Sequence, residues 1–225
     1  MKVAIFGASG LVGDGFLQES LRAHDVTEVV TIGRTPPGLT HPKLRHRTHS
    51  DFTDFTALGD ELADIDACFW ALGVSASQVD AADYERITYG FTSAAARHLA
   101  TTHPDATFVY VSGGGTDSTG QGRSRWARVK GRTENLIIAT FPNGYALRPG
   151  FVLPAHRKRS NTAAYRWAAT AVAPLTPLLR RLRLAPALLT DTGQLGRTAL
   201  HLARHGWPDH VLENRAITAA ASSRP

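Results

Sequence analysis

The sequence predicts an α/β fold, a doubly wound parallel sheet with helices on both faces. Three observations carry that expectation. The chain opens on a short apolar run, Val3-Ala4-Ile5-Phe6, which passes through Gly7-Ala8-Ser9-Gly10-Leu11-Val12-Gly13 into a helical pattern with Phe16, Leu17 and Leu21. Apolar runs of strand length then alternate with helix-length segments along the chain. One of these runs, Asp66 to Leu72, reads apolar on both faces, as a central parallel strand should.

The glycine spacing has a chemical reason. Gly7 can take the sharp turn off the strand, because it has no Cβ to forbid positive φ. Gly10 would let a pyrophosphate approach bare backbone, and Gly13 would let the helix sit close on the sheet. The free N–H groups at the helix start, with its positive dipole end, would face the phosphates. Strand, glycine turn and helix in this order form the phosphate-holding start of a dinucleotide-binding unit. A glycine turn that serves packing alone is the alternative reading.

Taken in order, the pattern gives a first helix from about Gly13 to Ala23 and a second strand over Glu28-Val29-Val30-Thr31-Ile32, closed by Gly33-Arg34. Pro36-Pro37-Gly38 turns the chain into a short third strand, Leu44 to His49, and the polar segment Ser50 to Asp54 caps a helix ending near Ala63. After the fourth strand, a long helix runs from about Ala81 to His103 and is stopped by Pro104. The fifth strand, Thr107 to Val111, ends in Ser112-Gly113-Gly114-Gly115; a helix follows over Arg125 to Thr140, then a sixth strand at Tyr145-Ala146-Leu147. From about Arg157 to Leu184 the chain reads as helical and alanine-rich, broken at Pro174 and Pro177. Thr190 or Asp191 caps a further helix with Leu195, Ala199, Leu202 and Ala203 on its apolar face. Val211-Leu212 and Ala216-Ile217 offer a short final strand, and Ala219 to Pro225 reads as a frayed tail.

With 225 residues, 43% of them hydrophobic and 20% charged, the chain has the make-up of a soluble globular protein of one domain, residues 1–225, in which 152–190 form a helical insertion. Cys68 is the only cysteine and lies in Ala67-Cys68-Phe69-Trp70, so an inert core thiol in a reducing, cytoplasmic setting is expected. The net charge of +6 comes from arginines scattered along the chain, with denser clusters at His156-Arg157-Lys158-Arg159 and Arg180-Arg181-Leu182-Arg183. Dispersed arginines of this kind read as solvated faces, which makes nucleic acid an unlikely partner. The run before Gly7 is too short for a signal peptide, and Ala163 to Leu184 is interrupted by charges and prolines, so no membrane span is expected. His41, His46 and His49 have no carboxylate or cysteine at metal-like spacing, and no metal is expected.

Ligands of doubly wound sheets bind beyond the carboxyl ends of the strands. After the second strand stands Arg34, where a carboxylate would hydrogen-bond the ribose 2′-hydroxyl of NAD; an arginine suits the 2′-phosphate of NADP, so NADP is expected and NAD is the alternative. Asp51 and Phe52 stand where adenine would lie, unless Asp51 serves only as a helix cap. Ala71-Leu72-Gly73 supplies the small residues needed where a chain runs past a cofactor. Val111-Ser112-Gly113-Gly114-Gly115-Thr116 offers hydroxyls and open amides, and Lys130 follows Trp126 by one helical turn. Arg148-Pro149-Gly150-Phe151 makes a rigid turn fit to wall a nicotinamide ring.

In this order and spacing, Gly7-x-x-Gly10-x-x-Gly13, Gly33-Arg34, Asp51-Phe52, Ala71-Leu72-Gly73, Val111-Ser112, Lys130-Gly131 and Arg148-Pro149-Gly150 resemble the short-chain dehydrogenase/reductase superfamily. More narrowly the chain is similar to small atypical members, the NAD(P)-binding or NAD-dependent epimerase/dehydratase-like proteins, with the Tat-interactive oxidoreductase-like group nearby. The resemblance covers Met1 to about Phe151 and continues more loosely to Ile217. It implies a Rossmann-type domain with a small helical extension on the substrate side. It also implies that Gly7, Ser9, Gly10, Leu11, Val12 and Gly13 hold the pyrophosphate, Arg34 the 2′-phosphate, Asp51 and Phe52 the adenine, and Ala71, Leu72 and Gly73 the adjoining ribose. Lys130 would hydrogen-bond the nicotinamide ribose, Ser112 would be the active-site hydroxyl, and Pro149, Gly150 and Phe151 would wall the ring.

The chain departs from that family at one place that matters. The family's lysine follows a tyrosine by four residues, whereas here Trp126 precedes Lys130, and an indole N–H cannot transfer a proton as an acid. Extended members often carry their hydroxyl one or two residues beyond Ser112, where this chain has Gly113 and Gly114. Thr116, Ser118, Tyr84, Tyr89, His156 and Tyr165 are the other candidate donors. Two functions therefore stay open: an NAD(P)-dependent oxidoreductase or epimerase-like enzyme on a small carbonyl or sugar-like substrate, or an NADP(H) sensor without turnover. A monomer or homodimer fits either.

Overall fold

The computed structural model describes residues 1–156 and 185–223. Its strands are β1 (Lys2–Phe6), β2 (Glu28–Gly33), β3 (Leu44–Thr48), β4 (Ala67–Trp70), β5 (Thr107–Val111), β6 (Gly144–Arg148), β7 (Phe151–Leu153), β8 (Leu189–Asp191) and β9 (Val211–Glu213). Seven of them form one sheet in the order β3-β2-β1-β4-β5-β6-β9, every pairing parallel, while β7 and β8 make a separate parallel pair. The order reverses direction between β1 and β4, which is the topological switch point at which doubly wound sheets open a crevice.

The helices are α1 (Leu11–Arg22), α2 (Gly59–Leu62), α3 (Ala81–Glu85), α4 (Phe91–Thr102), α5 (Arg125–Thr140), α6 (Ala185–Leu188), α7 (Thr192–His205) and α8 (Asn214–Ser222). They cover both faces because successive strand residues point to opposite sides. In β1, Val3 and Ile5 enter a core with Phe16 and Leu17 of α1, Leu195 and Ala199 of α7 and Ile217 of α8. Ala4 and Phe6 enter the other core, with Ala95 and Leu99 of α4 and Ile137 of α5. Cys68 is fully buried in the second core, and burial holds its thiol well above the ordinary range. No helix among the described residues is long and apolar enough to cross a membrane.

Several expected elements differ in detail. Asp51 caps no helix: its carboxylate accepts from the backbone N–H (3.0 Å) and hydroxyl (2.5 Å) of Thr53, so the chain makes a local turn before a 3-10 turn at Thr56–Leu58 and the short α2. The long helix is broken by a π turn over Arg86–Gly90, where the Phe91 N–H reaches the Arg86 carbonyl. Ala216 and Ile217 do not extend the final strand but lie on α8, because Ile217 and Ala220 are buried at helical spacing. The same helix carries Ala219 to Ser222, so that part of the expected frayed tail is packed. The expected insertion 152–190 is not helical throughout, since Val152, Leu153, Leu189 and Thr190 are strand residues. The helical reading of 157–184 falls outside the described residues.

Asp191 is the cap of α7, in a reciprocal box in which its carboxylate accepts from the Gln194 N–H (2.7 Å) and the Gln194 side chain accepts from the Asp191 N–H (3.0 Å). That start is held against α1 by glycines. A Cβ on Gly15 would come within 2.2 Å of the Thr192 carbonyl oxygen, and one on Gly196 within 2.6 Å of the Gly15 carbonyl oxygen. Gly15→Ala therefore lowers unfolding free energy by about 2 kcal/mol or more in urea denaturation, through forced separation of α1 and α7. Gly59→Ala, whose Cβ meets nothing within 4 Å, is the control and is expected to be neutral or to stabilise by less than about 1 kcal/mol.

Candidate functional site

The turn from β1 into α1 lies at the switch point. Gly7 has φ +81°, and a Cβ there would sit 2.7 Å from the Ala71 carbonyl and the Leu72 nitrogen. A Cβ on Gly13 would sit 2.1 Å from the Gly7 oxygen. Gly10 is different: its Cβ would meet only the Gly7 oxygen at 3.3 Å. No side chain caps α1 at Gly10, so the amides of its first turn lack a side-chain acceptor. Two of the three glycines are thus required by packing, and the third leaves bare backbone facing outward.

That backbone faces a cleft of about 420 Å³ lined by Gly7, Ser9, Gly10, Arg34, Phe52, Ala71, Leu72 and Gly73, together with Gly33, Thr35, Ser50, Val74, Arg86, Ile87 and Phe91. Eight residues singled out in the sequence are therefore brought to one crevice. Leu11, Val12 and Gly13 form the start of α1 beside it. Arg34 is exposed and makes no ion pair or hydrogen bond among the described residues. Phe52 is buried, with Phe91 at 5.6 Å and His49 edge-on at 5.4 Å between ring centroids. Asp51 is not among the lining residues, and Thr53 occupies its carboxylate, which this bonding holds below the ordinary carboxylate range. Arg86, Ile87 and Phe91 had no motif to announce them; they reach the cleft through the π turn. Arg86 adds a second guanidinium at the rim, paired with Asp83 at 2.8 Å.

The other expected residues gather beyond the ends of β5 and β6. Lys130, partly buried on α5, donates from Nζ to the Ser112 carbonyl. Burial brings its ammonium down to about 8, against the opposing pull of Glu134 one turn further on. Ser112 is buried, and its hydroxyl donates to the Leu147 carbonyl at 3.0 Å. The Gly114 N–H donates to the Pro149 carbonyl at 2.8 Å, and the Gly150 N–H to the Asn214 side-chain oxygen at 2.7 Å. Phe151 opens β7. Of the alternative donors, Thr116 gives its hydroxyl to the Gly113 carbonyl (2.8 Å) and Ser118 gives its own to Glu134 (2.7 Å). Tyr84 is buried, with its phenol raised by that burial, and the Tyr89 ring lies 4.0 Å beneath the Arg132 guanidinium. His156 turns to α1, its Nε2 3.3 Å from Glu19, and Tyr165 lies outside the described residues.

The residue that ties this half together went unnoticed in the sequence. Glu134 is 0% exposed, and Arg148 meets it through Nε at 2.9 Å and Nη2 at 2.6 Å. Arg148 also reaches Glu213 at 3.0 Å. The Glu134 carboxylate raises the Arg148 guanidinium above its ordinary value despite burial. One carboxylate thus links α5, the loop after β5 and the end of β6. Its spacing of four from Lys130 was the only signal available. Among the described residues no three His, Cys, Asp or Glu side chains converge as a metal site would require.

No family model matches the chain, and no curated protein matches it in sequence. Solved structures do. The architecture is the Rossmann-type one that these structures share, a short chain dehydrogenase family protein and a UDP-galactose 4-epimerase among them. Bordetella bronchiseptica WbmF, solved with NAD+, superposes with a TM-score of 0.67 at 16% identity, covering 98% of this chain and 76% of that one. A short chain dehydrogenase family protein from Francisella tularensis subsp. tularensis SCHU S4 gives 0.64 at 13% identity, covering 97% and 98%. A UDP-galactose 4-epimerase gives 0.63 at 14%, covering 95% and 76%. At such identities the likeness is one of fold.

Two outcomes test this geometry. Glu134→Gln leaves Arg148 without its buried counter-charge and is expected to lower unfolding free energy by about 3 kcal/mol in urea. Lys130 binds its proton less tightly folded than unfolded, so its contribution makes stability rise with pH between about 8 and its ordinary 10.5. The stability of the parent relative to Lys130→Met should therefore increase from pH 7.5 to pH 9.5, a window set by those same two values. A difference that is flat or falls across this window refutes the assignment.

Proposed function

We propose that the protein is an NAD(P)-binding oxidoreductase or epimerase-like enzyme of the short-chain dehydrogenase/reductase superfamily, acting on a small carbonyl or sugar-like substrate, with NADP as its cofactor. The observation that carries this reading is Gly10. A Cβ at Gly7 or Gly13 would overlap backbone outright, whereas one at Gly10 would press on a single atom, the Gly7 oxygen at 3.3 Å, and Gly10 lines the cleft, so its bare backbone fits the close approach of a ligand as well as packing. The likeness to structures solved with NAD+ and NADH supports the same cofactor class.

Each residue has a physical task in this reading. The amides of Ser9, Gly10 and the start of α1 hold the pyrophosphate at the positive end of the helix. Arg34, unpaired at the end of β2, meets the 2′-phosphate. Phe52 closes on the adenine, and Ala71 to Gly73 pass the adjoining ribose without side-chain obstruction. Lys130 donates to the second ribose, and Pro149, Gly150 and Phe151 wall the nicotinamide, which supplies or accepts a hydride. The small molecule is the partner, the protein works as a monomer or homodimer, and the cytoplasm is its setting.

Trp126 favours a second reading, an NADP(H) sensor without turnover, because the indole occupies the place of an acid. Following NADPH oxidation against aldehydes, ketones, quinones and nucleotide sugars separates the two, since a sensor binds and oxidises nothing. The cofactor assignment is tested by calorimetric titration. Arg34→Ala should weaken NADPH binding by about tenfold or more, the loss of charge-assisted bonds to a phosphate, while NADH changes less than about twofold. Equal losses for both cofactors refute NADP, and no binding of either at millimolar concentration refutes the whole reading.

A further inference from the structure

Three arginines share one face of α5. Arg125, Arg128 and Arg132 are separated by three and four residues, so their side chains lie one above the other along the helix. With Glu85 at the end of α3 and the loop after β5, they line a cavity of about 510 Å³. This cavity shares no lining residue with the cleft at the switch point. Lys130, two residues past Arg128, belongs to another face of the helix, where it holds the Ser112 carbonyl.

The walls are tied in place by hydrogen bonds. Asp117 accepts from the N–H groups of Thr119 (3.0 Å) and Gly122 (2.6 Å) and from the Thr119 hydroxyl (2.6 Å), which closes the loop on itself. The Asn135 side chain donates to the Ser118 carbonyl at 2.9 Å and Arg128 Nη1 to the Gly122 carbonyl at 2.5 Å, so the loop is fastened to α5. Gly131 lets loop and helix meet, since a Cβ there would come within 1.9 Å of the Asp117 carbonyl oxygen. Across the cavity, Arg132 donates to Glu85 at 2.5 Å, and its guanidinium lies 4.0 Å from the centre of the Tyr89 ring. Two of the three guanidiniums are thus positioned before a ligand arrives, which lowers the cost of ordering them.

The charge of the lining is unbalanced. Three guanidiniums stand with one carboxylate, a formal excess of two positive charges. Arginines three and four residues apart repel one another, and Arg125 stands in the first turn of α5, at the positive end of the helix dipole. Both placements cost stability, and an anion in the cavity relieves both. Walls of one sign concentrate ions of the other, and guanidinium forks match the oxygens of a phosphate. A phosphate monoester carries about two negative charges at neutral pH and so matches the excess, where a carboxylate carries one. Val129 is the one apolar side chain in the lining, which suits a hydroxylated body and not a hydrophobic one.

We propose that this cavity binds a small phosphate monoester with a hydroxylated body, its phosphate held among Arg125, Arg128 and Arg132. The site does not rest on the dinucleotide reading of the cleft. The incoming phosphate competes with Glu85 for Arg132, so this carboxylate sets the strength of binding.

Calorimetric titration of the full chain with β-glycerophosphate tests the site, with glycerol and gluconate as controls. β-Glycerophosphate should bind saturably and glycerol should not bind. Gluconate, a hydroxylated monoanion, should bind about tenfold more weakly than the phosphate ester. Arg125→Ala and Arg132→Ala should each weaken β-glycerophosphate about fivefold or more, the size of one charge-assisted hydrogen bond partly in solvent. Glu85→Gln should tighten it about threefold, the size of one exposed ion pair no longer to be broken. Damage to the fold would weaken binding and not tighten it. The proposal is overturned by no saturable binding at millimolar concentration, or by binding that both arginine variants leave unchanged. It is equally overturned by gluconate bound as tightly as β-glycerophosphate, or by a Glu85→Gln protein that binds the ester no more tightly than the parent.

Discussion

The arrangement of the site depends on a volume that no side chain can enter. Gly7 turns against the backbone of Ala71 and Leu72, and Gly13 seats the first turn of α1 on the Gly7 carbonyl. A single Cβ at either position would overlap backbone atoms, which cannot swing aside as a flexible side chain can. The end of β1, the start of α1 and the end of β4 are therefore locked together at the point where the strand order reverses. Arg34 and Phe52 then fall on one side of the crevice and Ala71 to Gly73 on the other, because β2 and β3 continue the sheet one way and β4 the other. Helix α1 is pinned on its far side as well, by the close approach of Gly15 to Thr192.

The second half of the site is held by a different force. Beyond β5 and β6 the buried Glu134 binds Arg148 and Ser118, and Arg148 reaches on to Glu213. Burying a carboxylate is costly, and attraction offsets that cost only where the remaining lone pairs are also satisfied. Here three donors reach the carboxylate, two nitrogens of one guanidinium and a hydroxyl, so that both of its oxygens are hydrogen-bonded. The consequence is positional. Arg148 precedes Pro149 and Gly150, Ser118 lies in the loop after the triple glycine, and Lys130 sits one turn before Glu134 on α5. Packing fixes the half assigned to adenosine, and an ion pair fixes the half assigned to the nicotinamide.

Much of this was legible in the sequence, for reasons that mark its limits. Strands buried on both faces give continuous apolar runs, glycines that must avoid overlap give a fixed spacing, and the Asp191–Gln194 box is written in adjacent residues. These are local signals. Ala216-Ile217 misled because two apolar neighbours fit a strand as well as a helix, and only packing on α7 decides between them. The π turn that carries Arg86, Ile87 and Phe91 to the cleft has no composition of its own. Glu134 lies in Lys130-Gly131-Arg132-Thr133-Glu134, which reads as a solvated helix face until β6 brings Arg148 against it. Ser112 was read as an active hydroxyl from its place after β5, but its direction, toward Leu147, is a property of the paired strands.

Trp126 gives the arrangement around Lys130 its particular sense. An ammonium beside an ionisable phenol would favour that phenol's charged form, but an indole has no proton to lose near neutral pH. The charge of Lys130 can act only on the Ser112 carbonyl it already holds and on whatever lies in the crevice. Gly115, at φ +83°, lies beside the indole, where a Cβ would come 3.6 Å from Cη2, and Trp126 stays 36% exposed. At this helical position the chain therefore carries a partly exposed apolar ring with no ionisable proton, at the end of the sheet where Glu134 and Arg148 fix the backbone.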